Sequence, residues 1–186
     1  MKNVAVFLAE GLEEIEGLTV VDLLRRAGIV VTTVSINGKK EVTGAHQITV
    51  LADALFEEVD FSQMDGVVLP GGMPGTNNLM QHLGVNQVIR AFDREKKLVA
   101  AICAAPSVLG KAGLLEGKRA TCYPGFETQL TGALYSQEPV VLDGTVLTSR
   151  GMGTAVPFGL ALIAYFLGQE AAVEIRDSVL YQGAGA

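Results

Sequence analysis

The strongest constraint on this chain is an alternation of two patterns. Short apolar runs rich in β-branched residues, each closed by glycine, proline or charge, are separated by stretches with helical spacing. The runs are residues 3–9 (NVAVFLA), 29–36 (IVVTTVSI), 66–69 (GVVL) and 98–102 (LVAAI). They are short, apolar and rich in β-branched residues, as in strands buried on both faces, and such strands need helices on either side. Helical spacing appears at Ile15, Leu18, Val21 and Leu24, with Arg25 and Arg26 at the end and Gly28 as a stop. It recurs at Val85, Val88, Ile89 and Phe92 opposite a charged face, and residues 155–167 and 171–180 supply two more helices. Asn37-Gly38 and Asp143-Gly144, each flanked by strand-like residues, predict hairpin turns, because both positions tolerate positive φ. Together these features predict one domain over residues 1–186. It is a three-layer α/β sandwich of doubly wound type, with a mainly parallel sheet and a small antiparallel piece.

Composition narrows the function classes. The formal charge is −6, and Lys/Arg runs are no longer than the pairs Arg25-Arg26, Lys39-Lys40 and Lys96-Lys97, so nothing here is suited to nucleic acid or an acidic membrane surface. Two cysteines, Cys103 and Cys122, make no disulfide framework, which points to a reducing, cytoplasmic compartment. The first apolar run is too short for a secretory signal. Residues 151–169 are uncharged but interrupted by glycines and Pro157, and read as a buried core helix rather than a membrane span.

Ligands of open α/β sheets sit outside the carboxyl ends of the strands. Three segments meet that criterion: residues 10–16 (EGLEEIE) after the first strand, 70–75 (PGGMPG) after the third, and 103–106 (CAAP) after the fourth. Cys103 ends a strand and begins a helix among Ala101, Ala104 and Ala105, the strand–turn–helix setting of a nucleophile elbow, where backbone N–H groups favour a thiolate. An isolated cysteine would otherwise read as a small core hydrophobe. Gly71 and Gly72 let backbone N–H groups approach a substrate oxygen as an oxyanion hole, although Pro-Gly-Gly also suits a plain turn. Glu13, Glu14 and Glu16 suit a helix amino terminus. Glu16 is singled out as a carboxylic acid held beside the thiolate, its pKa raised, moving protons for Cys103. No phosphate-loop pattern is present and no nucleotide cofactor or metal is expected. Cys122, in the strand-like Ala120-Thr121-Cys122, reads as buried and inert.

The stretches GLEEIEG, DLLRRAGIVVT, GVVLPGG, LVAAICAAP and LTSRGMGTA run in order over nearly the whole chain, and together they resemble the DJ-one/ThiJ/PfpI family, in particular its Parkinsonism-associated deglycase branch. The resemblance implies a flavodoxin-like α/β sandwich, a homodimer, Cys103 as nucleophile with protonated Glu16, and backbone N–H groups of Gly72 and Ala104 facing the oxyanion. Relatives commonly carry a histidine in the loop matching residues 120–124. This chain has Tyr123 there, which is left to orient substrate or water. His46 and His82 are expected at the surface, Arg26 and His46 at most near an anion, and Arg150 in a structural role. The protease branch has histidine directly after the cysteine, whereas Ala104 follows here, which disfavours proteolysis.

Two functions follow. One is a cofactor-independent enzyme that turns glyoxal or methylglyoxal, free or as early glycation adducts on protein or nucleotide groups, into 2-hydroxy acids through a Cys103 hemithioacetal. The other is an oxidative-stress sensor or redox-regulated chaperone in which Cys103 is oxidised beside Glu16. A vestigial elbow in a dimer scaffold is the third reading.

Overall fold

A computed structural model describes residues 1–183, so the last three residues of the expected 1–186 domain lie outside the described residues. In chain order the elements are β1 (Asn3–Leu8), α1 (Glu14–Arg26), β2 (Val30–Ser35), β3 (Glu41–Thr43), β4 (Thr49–Leu51), β5 (Ala54–Leu55), β6 (Gly66–Leu69), α2 (Gly75–Gln81), α3 (Leu83–Arg94) and β7 (Leu98–Ile102). They continue with α4 (Pro106–Lys111), β8 (Arg119–Ala120), β9 (Leu134–Tyr135), β10 (Val140–Asp143), β11 (Val146–Ser149), α5 (Ala155–Leu167) and α6 (Gln169–Ser178).

The main sheet has seven strands in the order β10-β11-β7-β6-β1-β2-β5. Its pairings are parallel except β10 with β11. Side chains alternate across a strand, and β1 divides accordingly. Val4, Val6 and Leu8 pack with α1 and α5, whereas Ala5 and Phe7 pack with α3 and α4 on the opposite face. Two cores flank the sheet, as the uninterrupted apolar runs require. From β1 the chain moves to β2 on one side and later to β6 on the other, so the carboxyl ends of β1 and β6 bracket a topological switch point. Among the described residues no helix is long and apolar enough to cross a membrane.

Asn37-Gly38 is not a hairpin turn. After β2 the chain leaves the main sheet, and β3 pairs with β4 instead. Asn37 is occupied elsewhere: its Nδ2 donates to Glu10 Oε2 at 3.0 Å and its Oδ1 accepts from the Glu10 N–H. The β3–β4 turn lies further on, over Gly44, Ala45, His46 and Gln47, where Gln47 takes φ +64°. The second hairpin is present, with Asp143 paired to Val146, so that Gly144 (φ +60°) and Thr145 form the turn one residue beyond the expected centre. Residues 120–122 are strand only at Ala120, and Cys122 is fully buried as expected. The last helix begins two residues earlier than its apolar pattern and ends at Ser178.

Candidate active site

Cys103 follows β7 directly and has φ +66°, a left-handed conformation that a side-chain-bearing residue adopts only when its surroundings hold it there. Both sides of its backbone are tied. Its N–H donates to the Ser149 carbonyl at 3.0 Å, and its carbonyl accepts from the Tyr123 N–H at 2.8 Å. Ala104 and Ala105 fit the tight turn, and Pro106 opens α4 at a position where a missing N–H costs nothing. The half-buried thiol lies in an open pocket of about 580 Å³ shared with Glu13, Glu16, Tyr123 and Arg150.

Glu16, in the first turn of α1, is completely buried. Its Oε2 accepts from the Gly71 N–H at 2.9 Å, its carboxyl pairs with the Cys103 thiol, and Oε1 has no further partner. Burial pushes this carboxyl up to about 7. The thiol and the Gly71 N–H pull against that rise, and the Glu13 charge adds to it. Burial, then the charge and hydrogen bond of Glu16, push the Cys103 thiol up to about 12 against the N–H groups of Ala104 and Gly72. The N–H groups favour the thiolate as expected, but burial and Glu16 outweigh them. A carboxyl and a thiol paired in this way do not both ionise at neutral pH; the pair gains one negative charge through about pH 7, and a thiolate exists when the remaining proton resides on Glu16.

The glycine-rich loop divides its work differently from the sequence reading. The Gly71 N–H is engaged by Glu16 and is not free for an oxyanion, while those of Gly72 and Ala104 face the sulfur. Gly71 lacks a side chain because there is no room for one. A Cβ there would lie 2.6 Å from Cys103 Cβ and 2.7 Å from Glu16 Oε2. Tyr123 lines the pocket half-exposed, its ring against Gly151. Arg150 has the structural bond expected of it, Nη1 to the Gln137 carbonyl at 3.1 Å, but it also borders the pocket, which sequence reasoning missed. Glu13 was likewise passed over, although its i,i+3 spacing from Glu16 puts both on one side of the helix start.

The remaining candidates lie outside the pocket. Arg26 pairs with Asp22 at 2.6 Å on the surface. His82 is not a surface residue as expected; it is half-buried at the start of α3, where Nδ1 accepts from the Val85 N–H. His46 is exposed and bonds the buried Glu14, Nδ1 to Oε2 at 2.9 Å, with Glu13 at 3.5 Å. Burial opposes the Glu14 charge. It is outweighed by the His46 ring and by the N–H groups of His46 and Ile48, which hold the carboxyl below its ordinary value and fasten the β3–β4 turn to α1. Glu13, Glu14 and His46 place ligand-type atoms within 4.8 Å of one another, an arrangement their ion pairing already accounts for.

The arrangement defines a doubly wound α/β protein with a cysteine at a strand–turn–helix elbow, paired to a buried glutamate at the sheet's switch point. The profile of the DJ-1/PfpI family matches residues 2–165, and the chain belongs to that family. It is 39% identical to Protein dj-1beta of Drosophila melanogaster over 181 residues, 96% of this chain and 97% of that protein. Protein DJ-1 homolog B of Arabidopsis thaliana is also 39% identical over 181 residues, but the chain spans only 41% of that protein's length. The structure of oxidized Toxoplasma gondii DJ-1 superposes with a TM-score of 0.95 at 33% identity, covering 98% of this chain and 100% of that one.

Proposed function

We propose that the protein is a cofactor-independent cysteine enzyme for small reactive carbonyls, converting glyoxal and methylglyoxal to 2-hydroxy acids and acting on early glycation adducts. The observation that carries this reading is the buried Glu16–Cys103 pair with two backbone N–H groups, of Gly72 and Ala104, directed at the sulfur. The Cys103 thiolate attacks the aldehyde carbon, the C–S bond forms, and the carbonyl electrons move to an oxyanion held by those N–H groups. Glu16 gives its proton to that oxyanion, then takes the proton from the same carbon and returns it to the neighbouring carbon, while the hydroxyl proton passes to the neighbouring oxygen, leaving a 2-hydroxy thioester. Water then attacks that carbonyl, the C–S bond breaks, and the 2-hydroxy acid leaves. One carbon is oxidised as the other is reduced, so the sum is addition of water and no external oxidant is needed.

The test is glutathione-free formation of lactate from methylglyoxal by wild type, Cys103→Ala and Glu16→Gln. Multiple turnovers lost in both variants are expected. No lactate above the Cys103→Ala background, with a thiol that still reacts rapidly with peroxide, would transfer the site to redox sensing.

The partner supported best is a second copy of the chain. Ile15 and Leu18, one helical turn apart on α1, are about half exposed, as is Ile48 beside the β3–β4 turn that His46 ties to α1. Sedimentation should give a dimer that Ile15→Glu dissociates; a monomer in wild type overturns this.

A further inference from the structure

Arg150 directly follows β11, which pairs with β7 so that Ser149 lies opposite Ile102. It therefore occupies the register position beside Cys103, and the bond from the Cys103 N–H to the Ser149 carbonyl extends that register to the elbow. Among the residues lining the Cys103 pocket, Arg150 is the only cation. It is half-buried, and among the described residues no carboxylate lies within ion-pair distance of it. A guanidinium has five N–H donors, and the Gln137 carbonyl takes one of them, which leaves a fork matched to a carboxylate.

The acidic groups of the pocket enter from the other side. Glu13 and Glu16 come from the connection after β1, and in the sheet β6 separates β1 from β7, whereas Arg150 comes from β11 on the opposite flank of β7. Glu13 is moreover close to the His46 ring. The charge of Arg150 reaches Cys122, Glu127 and Tyr135, and its Nη1 is held at the Gln137 carbonyl. An anion bound there would be joined to the reacting carbon by a short spacer.

We infer that Arg150 is a specificity-determining residue that selects carbonyl substrates carrying a carboxylate a few atoms from the reacting carbon, 2-oxoaldehydes with an acidic tail over neutral ones. The substrate class rests on the proposed carbonyl chemistry of Cys103; the anion preference of the pocket does not.

That preference is read without turnover by alkylating Cys103 with 3-maleimidopropanoate and with 3-maleimidopropanamide, which share size and reacting group, differ in charge, and carry the acid or amide a few atoms from the reacting carbon. The acid-to-amide rate ratio should be about tenfold higher in wild type than in Arg150→Met, the scale of one hydrogen bond to a charged group. Arg150→Lys should retain part of the preference, and the wild-type ratio, which needs no variant to fold, should fall several-fold in about 0.5 M salt. Equal ratios in wild type and Arg150→Met, or a wild-type ratio indifferent to salt, overturn the inference. For substrate class, kcat/KM is compared for 4,5-dioxopentanoate and its methyl ester, with preference for the acid expected in wild type and lost in Arg150→Met. Turnover of both without discrimination overturns the inference and leaves the carbonyl chemistry standing. No turnover of either, with the acid-over-amide alkylation preference intact, overturns the carbonyl chemistry and leaves the anion site.

Discussion

Glu16→Gln is expected to raise the stability of the protein at pH 8 by about 3 kcal/mol while slowing the chemistry of Cys103. The amide has the shape of the carboxyl and keeps an acceptor for the Gly71 N–H. Burial raises the Glu16 pKa from 4.5 to about 7. Above pH 4.5 the unfolded chain releases this proton while the folded protein still holds it. Over that window the folded state binds more protons, so stability falls as pH rises, by about 1.4 kcal/mol per unit, and levels off once the folded carboxyl ionises. The advantage of the variant should thus be absent near pH 4 and complete at pH 8, which urea unfolding at the two pH values measures. Reactivity should move the other way. Wild-type alkylation of Cys103 should rise through about pH 7, as the Glu16–Cys103 pair gains its single charge. The variant lacks that step and has no carboxylate to accept the thiol proton, so at pH 7 it should react about tenfold more slowly. A variant with unchanged pH dependence in both measurements would show that Glu16 holds no strained charge. The expected pattern is a site kept reactive at the expense of stability.

What the sequence made legible follows from burial. The strands at residues 66–69 and 98–102 have the bounds read from their apolar runs, because burial on both faces leaves no polar residue to blur an end, and the helix at 155–167 stops where its apolar run meets Gly168. The β3–β4 hairpin went unread since its strands have three residues each, face solvent in part, and turn through Gln47 rather than through an Asn-Gly pair. Asn37-Gly38 misled for a tertiary reason, the claim of Glu10 on the Asn37 side chain. At the site, Cys103 and the glycines were legible because they stand at the end of a strand, and Glu16 because it lies in the first turn of the helix that follows one. Glu14 was read as a residue suited to the helix dipole, and nothing nearby in sequence announced that the N–H groups of His46 and Ile48 would need its carboxylate. Arg150 became visible as a pocket residue only through the lateral pairing of β11 with β7, which no local pattern encodes.

Gly71→Ala should do more damage to the site than the loss of any one hydrogen bond in it. The added methyl would meet Cys103 Cβ at 2.6 Å, Glu16 Oε2 at 2.7 Å and the Ile102 carbonyl at 2.9 Å. None of these is the free end of a flexible side chain. Cys103 is held by Ser149 and Tyr123, Glu16 is sealed in the core, and Ile102 is the last residue of the interior strand β7. Relief therefore requires displacing the loop or the elbow, and overpacking of this kind costs about 1–3 kcal/mol. Displacing the loop moves the Gly71 N–H from Glu16 and the Gly72 N–H from the sulfur together, so the proposed proton carrier and the proposed oxyanion donor are misplaced by one substitution. A shift on the order of 1 Å between reacting groups lowers rates by about a hundredfold. Lactate formation should fall by that factor, and Cys103 alkylation should lose its midpoint near pH 7, while denaturant unfolding still shows a cooperative transition at lower midpoint. Gly72→Ala supplies a contrast at the next position. There φ is +87° and a Cβ would lie 2.2 Å from the Glu13 nitrogen, so the damage falls on the start of α1 and on backbone strain rather than on the Cys103–Glu16 contact. Normal turnover in Gly71→Ala would mean that the close approach of Gly71, Cys103 and Glu16 is not what makes the thiol reactive.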